Sequence, residues 1–201
     1  MSRFHPKISN SVPTDVHGLR VDRGYIAHFQ VAAAAATAAV TDGIHSAIVD
    51  TGAQQIITTG ITNPSVPRNI TATAGGTAGD IKAIQVIIEG TNYADEVITE
   101  TLPAFTVDTA GTVTGNKAFK TVTNITIPAH DGTGATTAIG FGEKLGLPYK
   151  LVHNTVLAAY LNNVKEATAP TVTTSATALE SNTIDLDSAL DSKVVNAYLM
   201  V

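Results

Sequence analysis

From about Ile56 to the last residue, short runs rich in Val, Ile and Thr alternate with turn-forming residues, and this pattern constrains the fold more tightly than any other. A β-branched side chain packs well on a pleated surface, so each run predicts a strand. The expected strands are Ile56–Thr62, Asn69–Ala74, Ile81–Glu89, Glu96–Leu102, Ala118–Ile127, Thr136–Phe141, Thr155–Leu161, Val164–Thr168, Thr171–Ala178, Thr183–Leu186 and Val194–Val201. Turn chemistry separates them at Asn63-Pro64, Gly75-Gly76, Gly90-Thr91-Asn92, Gly115-Asn116, Asp131-Gly132 and Asn162-Asn163.

Alternation assigns faces to these strands. Phe119, Thr121, Thr123, Ile125 and Ile127 share one face, as do Ile84, Val86 and Ile88, and both sets are expected in the core. Asn tolerates positive φ, so Asn162-Asn163 predicts a two-residue hairpin, and Glu180-Ser181-Asn182 predicts a second hairpin. Pro64, Pro67, Pro103, Pro128, Pro148 and Pro170 should lie near strand ends, because proline cannot donate to a ladder. The strand signal running to Val201 implies a C-terminus tied into a sheet.

Before Ile56 the reading is less regular. Tyr25–Val31 alternates as a strand, and Asp42-Gly43 supplies a turn. Between them, the alanine tract from Val31 to Val40 has high helix propensity but no charged face, so it fits either a buried helix or an extended run between close surfaces. Residues 1–24 follow neither the helical nor the strand period and are expected to form an extended N-terminal arm that becomes ordered against a neighbour. The resulting expectation is an all-β protein: an antiparallel β-sandwich over residues 25–201, with a possible subdivision near residue 50 into two small β subdomains.

Composition narrows the function. Aromatic residues are only 5% of the chain and charged residues 14%, which suits closely approaching sheets better than an aromatic-lined ligand pocket. A net charge of −5 without any Lys/Arg run argues against nucleic acid as a partner. The absence of cysteine excludes disulfides, thiolate metal sites and thiol nucleophiles. Neither a secretory signal nor a membrane span is expected, so synthesis in a cytoplasm is.

Few motifs suggest chemistry. Ala47-Ile48-Val49-Asp50-Thr51-Gly52-Ala53 resembles the active-site loop of retroviral-type aspartic proteases, which would need a second carboxylate from a dimer partner. That family's later apolar-apolar-Gly-Arg strand has no match, since Ala138-Ile139-Gly140 runs into Phe141; an Asp organising a turn is the simpler reading of Asp50. His5, His17, His28, His45, His130 and His153 never take the i, i+2 or i, i+4 spacing that offers two metal ligands from one element. Gly140-Phe-Gly-Glu-Lys-Leu-Gly146 lacks the Gly-Lys-Ser/Thr order of a phosphate loop and reads as a strand exit and turn. Glu96 and Glu100 share a strand face and read as a solvated edge. Catalytic residues, metal ligands and cofactors are therefore not expected.

Three phrases resemble structural proteins of tailed bacteriophages: Gly60-Ile-Thr-Asn-Pro-Ser-Val-Pro-Arg-Asn-Ile-Thr71, Gly115-Asn-Lys-Ala-Phe-Lys-Thr-Val-Thr-Asn-Ile-Thr-Ile-Pro128 and Gly140-Phe-Gly-Glu-Lys-Leu-Gly-Leu-Pro-Tyr-Lys-Leu151. The resemblance covers approximately residues 50–201. It implies a virion component whose partners are the major capsid protein and copies of itself. A capsid decoration protein is the first expectation because the chain lacks heptads and long fibrous repeats. A tail-tube or head–tail connector subunit is the alternative, and a dimeric aspartic protease using Asp50 the remote one.

Overall fold

The computed structural model describes residues 11–22 and 24–201. The strands are β1 Ser11–Pro13, β2 Arg20–Asp22, β3 Ile26–Val31, β4 Val40–Val49, β5 Gln55–Ile57, β6 Arg68–Gly76, β7 Ile87–Thr91, β8 Val97–Thr101, β9 Gly111–Phe119, β10 Thr121–Ile127, β11 Ala135–Gly146, β12 Val156–Leu161, β13 Val164–Lys165, β14 Thr171–Thr173, β15 Thr183–Asp185 and β16 Val195–Met200. The only helical elements among the described residues are 3₁₀ turns at Ala78–Asp80 and Leu179–Ser181. The protein is all-β, and its strands pair antiparallel throughout.

Three sheets build the body. The central sheet runs β14-β15-β11-β6-β9, with β4 also paired to β11. A second sheet runs β5-β10-β7-β8 and a third β13-β12-β16-β3. Strand β11 is long enough to serve two cores. Its first half pairs with β4, as in Thr136 opposite Val49, and its last residues pair with β15. Ile139 therefore joins a core with Ile70, Ala72, Ile88, Phe119 and Ile125, between the central and second sheets. Leu145 joins another core with Phe29, Ile184, Leu161, Val195 and Leu199, between the central and third sheets. Burying one apolar face of each outer sheet on the shared central sheet removes both faces from water, which is the sandwich principle applied twice.

Several local expectations hold. Asn162 and Asn163 adopt φ of 50° and 64° and join β12 to β13 as a hairpin. The strands β14 and β15 pair antiparallel across Glu180-Ser181-Asn182, although that segment ends a 3₁₀ turn and not a tight loop. Ile84, Val86 and Ile88 are buried, and the six prolines all lie outside strands. The last strand pairs on both sides, with β12 and β3.

Others are corrected. Asp42-Gly43 lies inside β4, where the absence of a Cβ at Gly43 admits the Phe141 ring. Gly115-Asn116 lies inside β9; a Cβ at Gly115 would strike the Glu100 carboxylate and Leu102, so this glycine serves close packing and not reversal. Gly140–Gly146 continues β11 and does not form the expected exit and turn. The expected strand Ala118–Ile127 is two strands in two sheets, divided at Lys120, whose N–H reaches Thr91 O at 2.8 Å. A register shift between Val122 and Asn124 then turns Val122 inward and leaves Thr123 exposed, against the expected face. Only Ile87 onward of Ile81–Glu89 pairs as a strand.

The alanine tract is neither a long helix nor an extended run. It makes a single turn, with Ala36 N–H bonded to Ala32 O at 3.0 Å and Ala36 fully buried in the second core. Of the expected arm, the residues from Ser11 form a two-stranded ribbon in which Ser11 pairs with Asp22 and Pro13 with Arg20; its first ten residues lie outside the described ones.

Candidate functional site

The acid and imidazole groups that sequence singles out are held as internal struts. Asp50 directly follows β4 and is 4% exposed. Its Oδ2 accepts the Gly52 N–H at 2.7 Å and its Oδ1 accepts the His130 N–H at 3.0 Å. Two backbone donors satisfy the carboxylate and tie the β4 exit to the loop before β11, a turn-organising use of Asp.

His130 is 5% exposed and receives the Lys82 N–H on Nδ1 at 3.1 Å. That bond fixes the proton on Nε2, which lies 3.0 Å from Thr137 Oγ1. Burial holds the imidazole below its ordinary pKa, and the charges of Asp50 and Asp131 oppose the shift. Asp50 thus meets His130 through the main chain, not through the ring, and the Thr137 hydroxyl is 98% buried with its residue. The three do not form a nucleophile, base and orienting acid open to a substrate.

Arg68 is 1% exposed at the junction of the two cores. Its Nη1 donates to Thr37 O at 2.7 Å, and its guanidinium lies 4.6 Å from the Phe141 ring centroid. Desolvation lowers its pKa to about 10, with Glu143 opposing, so the group stays charged at neutral pH. Glu143 accepts the Ala39 N–H at 3.2 Å, and Ser192 N–H bonds to Ala36 O at 2.9 Å. These contacts clamp the alanine turn onto the sandwich.

Glu100 is not the solvated group that its strand position suggests. Its Oε1 accepts the Asn116 N–H at 2.7 Å and the Lys117 N–H at 3.2 Å, joining the β8 edge of the second sheet to the β9 edge of the central one. Burial raises its pKa and these backbone bonds oppose the rise. A carboxylate here occupies the two unpaired donors that an edge strand would otherwise offer to another chain. Glu96 stays exposed, outside β8.

The remaining histidines are dispersed. His17 is exposed in the ribbon and His153 in a loop, while His45 Nδ1 lies 2.8 Å from Ser46 O. His5 lies outside the described residues. Among the described residues, no three His, Cys, Asp or Glu groups stand close enough to hold a metal ion, and no helix is long and apolar enough to cross a membrane.

What stands open is apolar surface. Val16, Leu19 and Val21 on the ribbon are 61%, 51% and 48% exposed. Tyr25, Ile26, Met200 and Val201 are also exposed and are neighbours: Ile26 pairs with Met200, and Tyr25 and Val201 exchange backbone hydrogen bonds at 3.1 and 2.9 Å. In the chain, the ribbon strand β2 ends shortly before this patch begins at Tyr25. Sequence reading found the strands that carry Ile26 and Met200; their adjacency depends on the β3–β16 pairing, which periodicity cannot supply. No family model, curated protein or solved structure compared with this chain matches it.

Proposed function

We propose that this chain is a structural subunit of a tailed-phage virion, most consistent with a capsid decoration protein that docks in many copies on the major capsid protein. The observation that carries this reading is the set of exposed apolar side chains Val16, Leu19 and Val21 on the ribbon, together with Ile26 and Met200 at the exposed end of β3 and β16. An apolar surface of this kind is stabilised by mating with another subunit. The three phrases of sequence resemblance support the virion assignment, and no matched relative contributes to it. The use of Asp50, His130 and Glu100 as backbone struts favours a mechanical role over a catalytic one.

In this reading many modest interfaces on a symmetric shell add up to strong retention, and each bridging copy raises the energy needed to part its neighbours. The subunit is assembled in the host cytoplasm and resides in the virion. The test is binding of purified protein to capsids lacking it, with and without residues 1–23. The full chain should stay small alone and saturate capsids, and the truncated chain should keep its fold and bind more weakly. Spontaneous rings or tubes would favour the tail-tube or connector alternative instead. Peptide cleavage lost in Asp50→Asn would restore the protease.

A further inference from the structure

The outer face of the third sheet carries an arrangement that the fold does not require. On β16 the side chains of Val195, Ala197 and Leu199 point into the second core, and Asn196, Tyr198 and Met200 point away from it. Register sets Asn196 beside Gln30 of β3 and Tyr160 of β12, and Tyr198 beside His28. His28 stacks on Tyr198 with ring centroids 4.8 Å apart and planes 10° apart. The Tyr160 ring stands at 90° to Tyr198 with centroids 6.0 Å apart. The two tyrosines make perpendicular walls of a recess of about 320 Å³ lined by Tyr160, Asn163, Asn196 and Tyr198.

Asn196 is 7% exposed, and its amide is held in a fixed orientation. Its Oδ1 lies 2.8 Å from His28 Nε2 and accepts Gln30 Nε2 at 3.0 Å. Among the described residues its Nδ2 has no partner, which leaves a fixed donor at the recess. The four lining residues are two tyrosines and two asparagines. No lysine or arginine lines the recess itself, although Lys165 pairs with Tyr160 on the same sheet face, and a plain apolar partner would strand the amide.

We propose that this recess binds a neutral sugar ring. The C–H face of a pyranose would stack on a tyrosine wall, and its hydroxyls would take the Asn196 amide and the Asn163 side chain at the hairpin tip. Pre-set walls and a pre-set donor lower the ordering cost of binding. The inference does not rest on the virion reading, although the face that holds the recess also carries Ile26 and Met200.

The test is backbone-amide NMR titration of the full chain with maltohexaose, cellohexaose and the hexamer of β-1,4-linked N-acetylglucosamine, each at millimolar concentration. At least one should give saturable shifts centred on Tyr160, Asn163, Asn196 and Tyr198. Tyr198→Ala should weaken that binding about tenfold, the factor that roughly one lost aromatic contact supplies, and Tyr198→Phe should retain most of it. Thermal melting of both variants checks that the sheet persists. If Tyr198→Ala unfolds, Asn163→Gly, which keeps the positive φ of the exposed turn and removes the side chain, takes its place and should also weaken binding. Absence of shifts with all three sugars would overturn the proposal. So would shifts centred elsewhere, or self-association abolished by Tyr198→Ala without sugar binding, which would make the face a protein contact.

Discussion

The Asp50 carboxylate accepts the backbone N–H of His130 at 3.0 Å, joining two segments separated by 80 residues. A motif that looks like half of a catalytic pair is thereby spent on closing the loop between the first and last strands of one core. Asp50→Ala would leave the buried N–H of His130 without a partner and release the N–H of Gly52, an exposed residue, to water. It should lower unfolding free energy by about 1–3 kcal/mol. Urea denaturation checks this, and a variant as stable as the parent would show the bonds to be dispensable.

His130 should make stability depend on pH. Its ordinary pKa of 6.5 applies in the unfolded chain, and burial lowers the folded value. Below pH 6.5 the unfolded chain therefore binds more protons than the folded one, so stability is full above that pH and falls as pH drops towards the folded value. The urea midpoint should decrease from pH 7.5 to pH 5, and His130→Gln should flatten that decrease.

Glu100 should act in the opposite sense. Its folded pKa is raised above the ordinary 4.5. Its contribution is thus fully present below that value and is lost as pH rises through the folded pKa. Glu100→Gln keeps an oxygen for the Asn116 and Lys117 N–H groups and removes the desolvated charge. At pH 7 the variant should melt at or above the parent temperature, with the advantage gone at pH 4. Glu100→Ala should melt lower at both.

Arg68 offers a contrast between removing a charge and removing a strut. Arg68→Ala deletes the stem against Phe141 and the bond to Thr37 O, and should cost roughly 3 kcal/mol or more. Arg68→Met keeps most of the stem. It also removes the buried Nε and Nη2, which have no partner among the described residues, so it should cost distinctly less. Equal losses in the two variants, read by chemical denaturation, would contradict this account of the junction.

The sequence made the ladder legible wherever alternation and turn chemistry agreed. Thr155–Leu161, Asn162-Asn163 and Val194–Val201 are such places, and they carry most of the third sheet. It misled where a glycine served packing. Gly43 and Gly115 read as reversals, yet each sits within a strand to admit a neighbour, Phe141 in one case and Glu100 in the other. A local pattern cannot distinguish a glycine that turns the chain from one that clears space. The ten-residue strand β4 was hidden for that reason, and because its two register shifts against β11 scramble its alternation. The candidate surfaces were half visible. Alternation sets Asn196, Tyr198 and Met200 on one face and Ile26, His28 and Gln30 on another, but only the pairing of β16 with β3 puts the two sets together.

A reconstruction of the particle at a resolution that traces chains tests the assembly account most directly. It should place this protein on the outside of the capsid shell, with Val16, Leu19 and Val21 buried against a neighbouring subunit. Particles that lack the chain, or a bound copy whose ribbon stays in solvent, would contradict it.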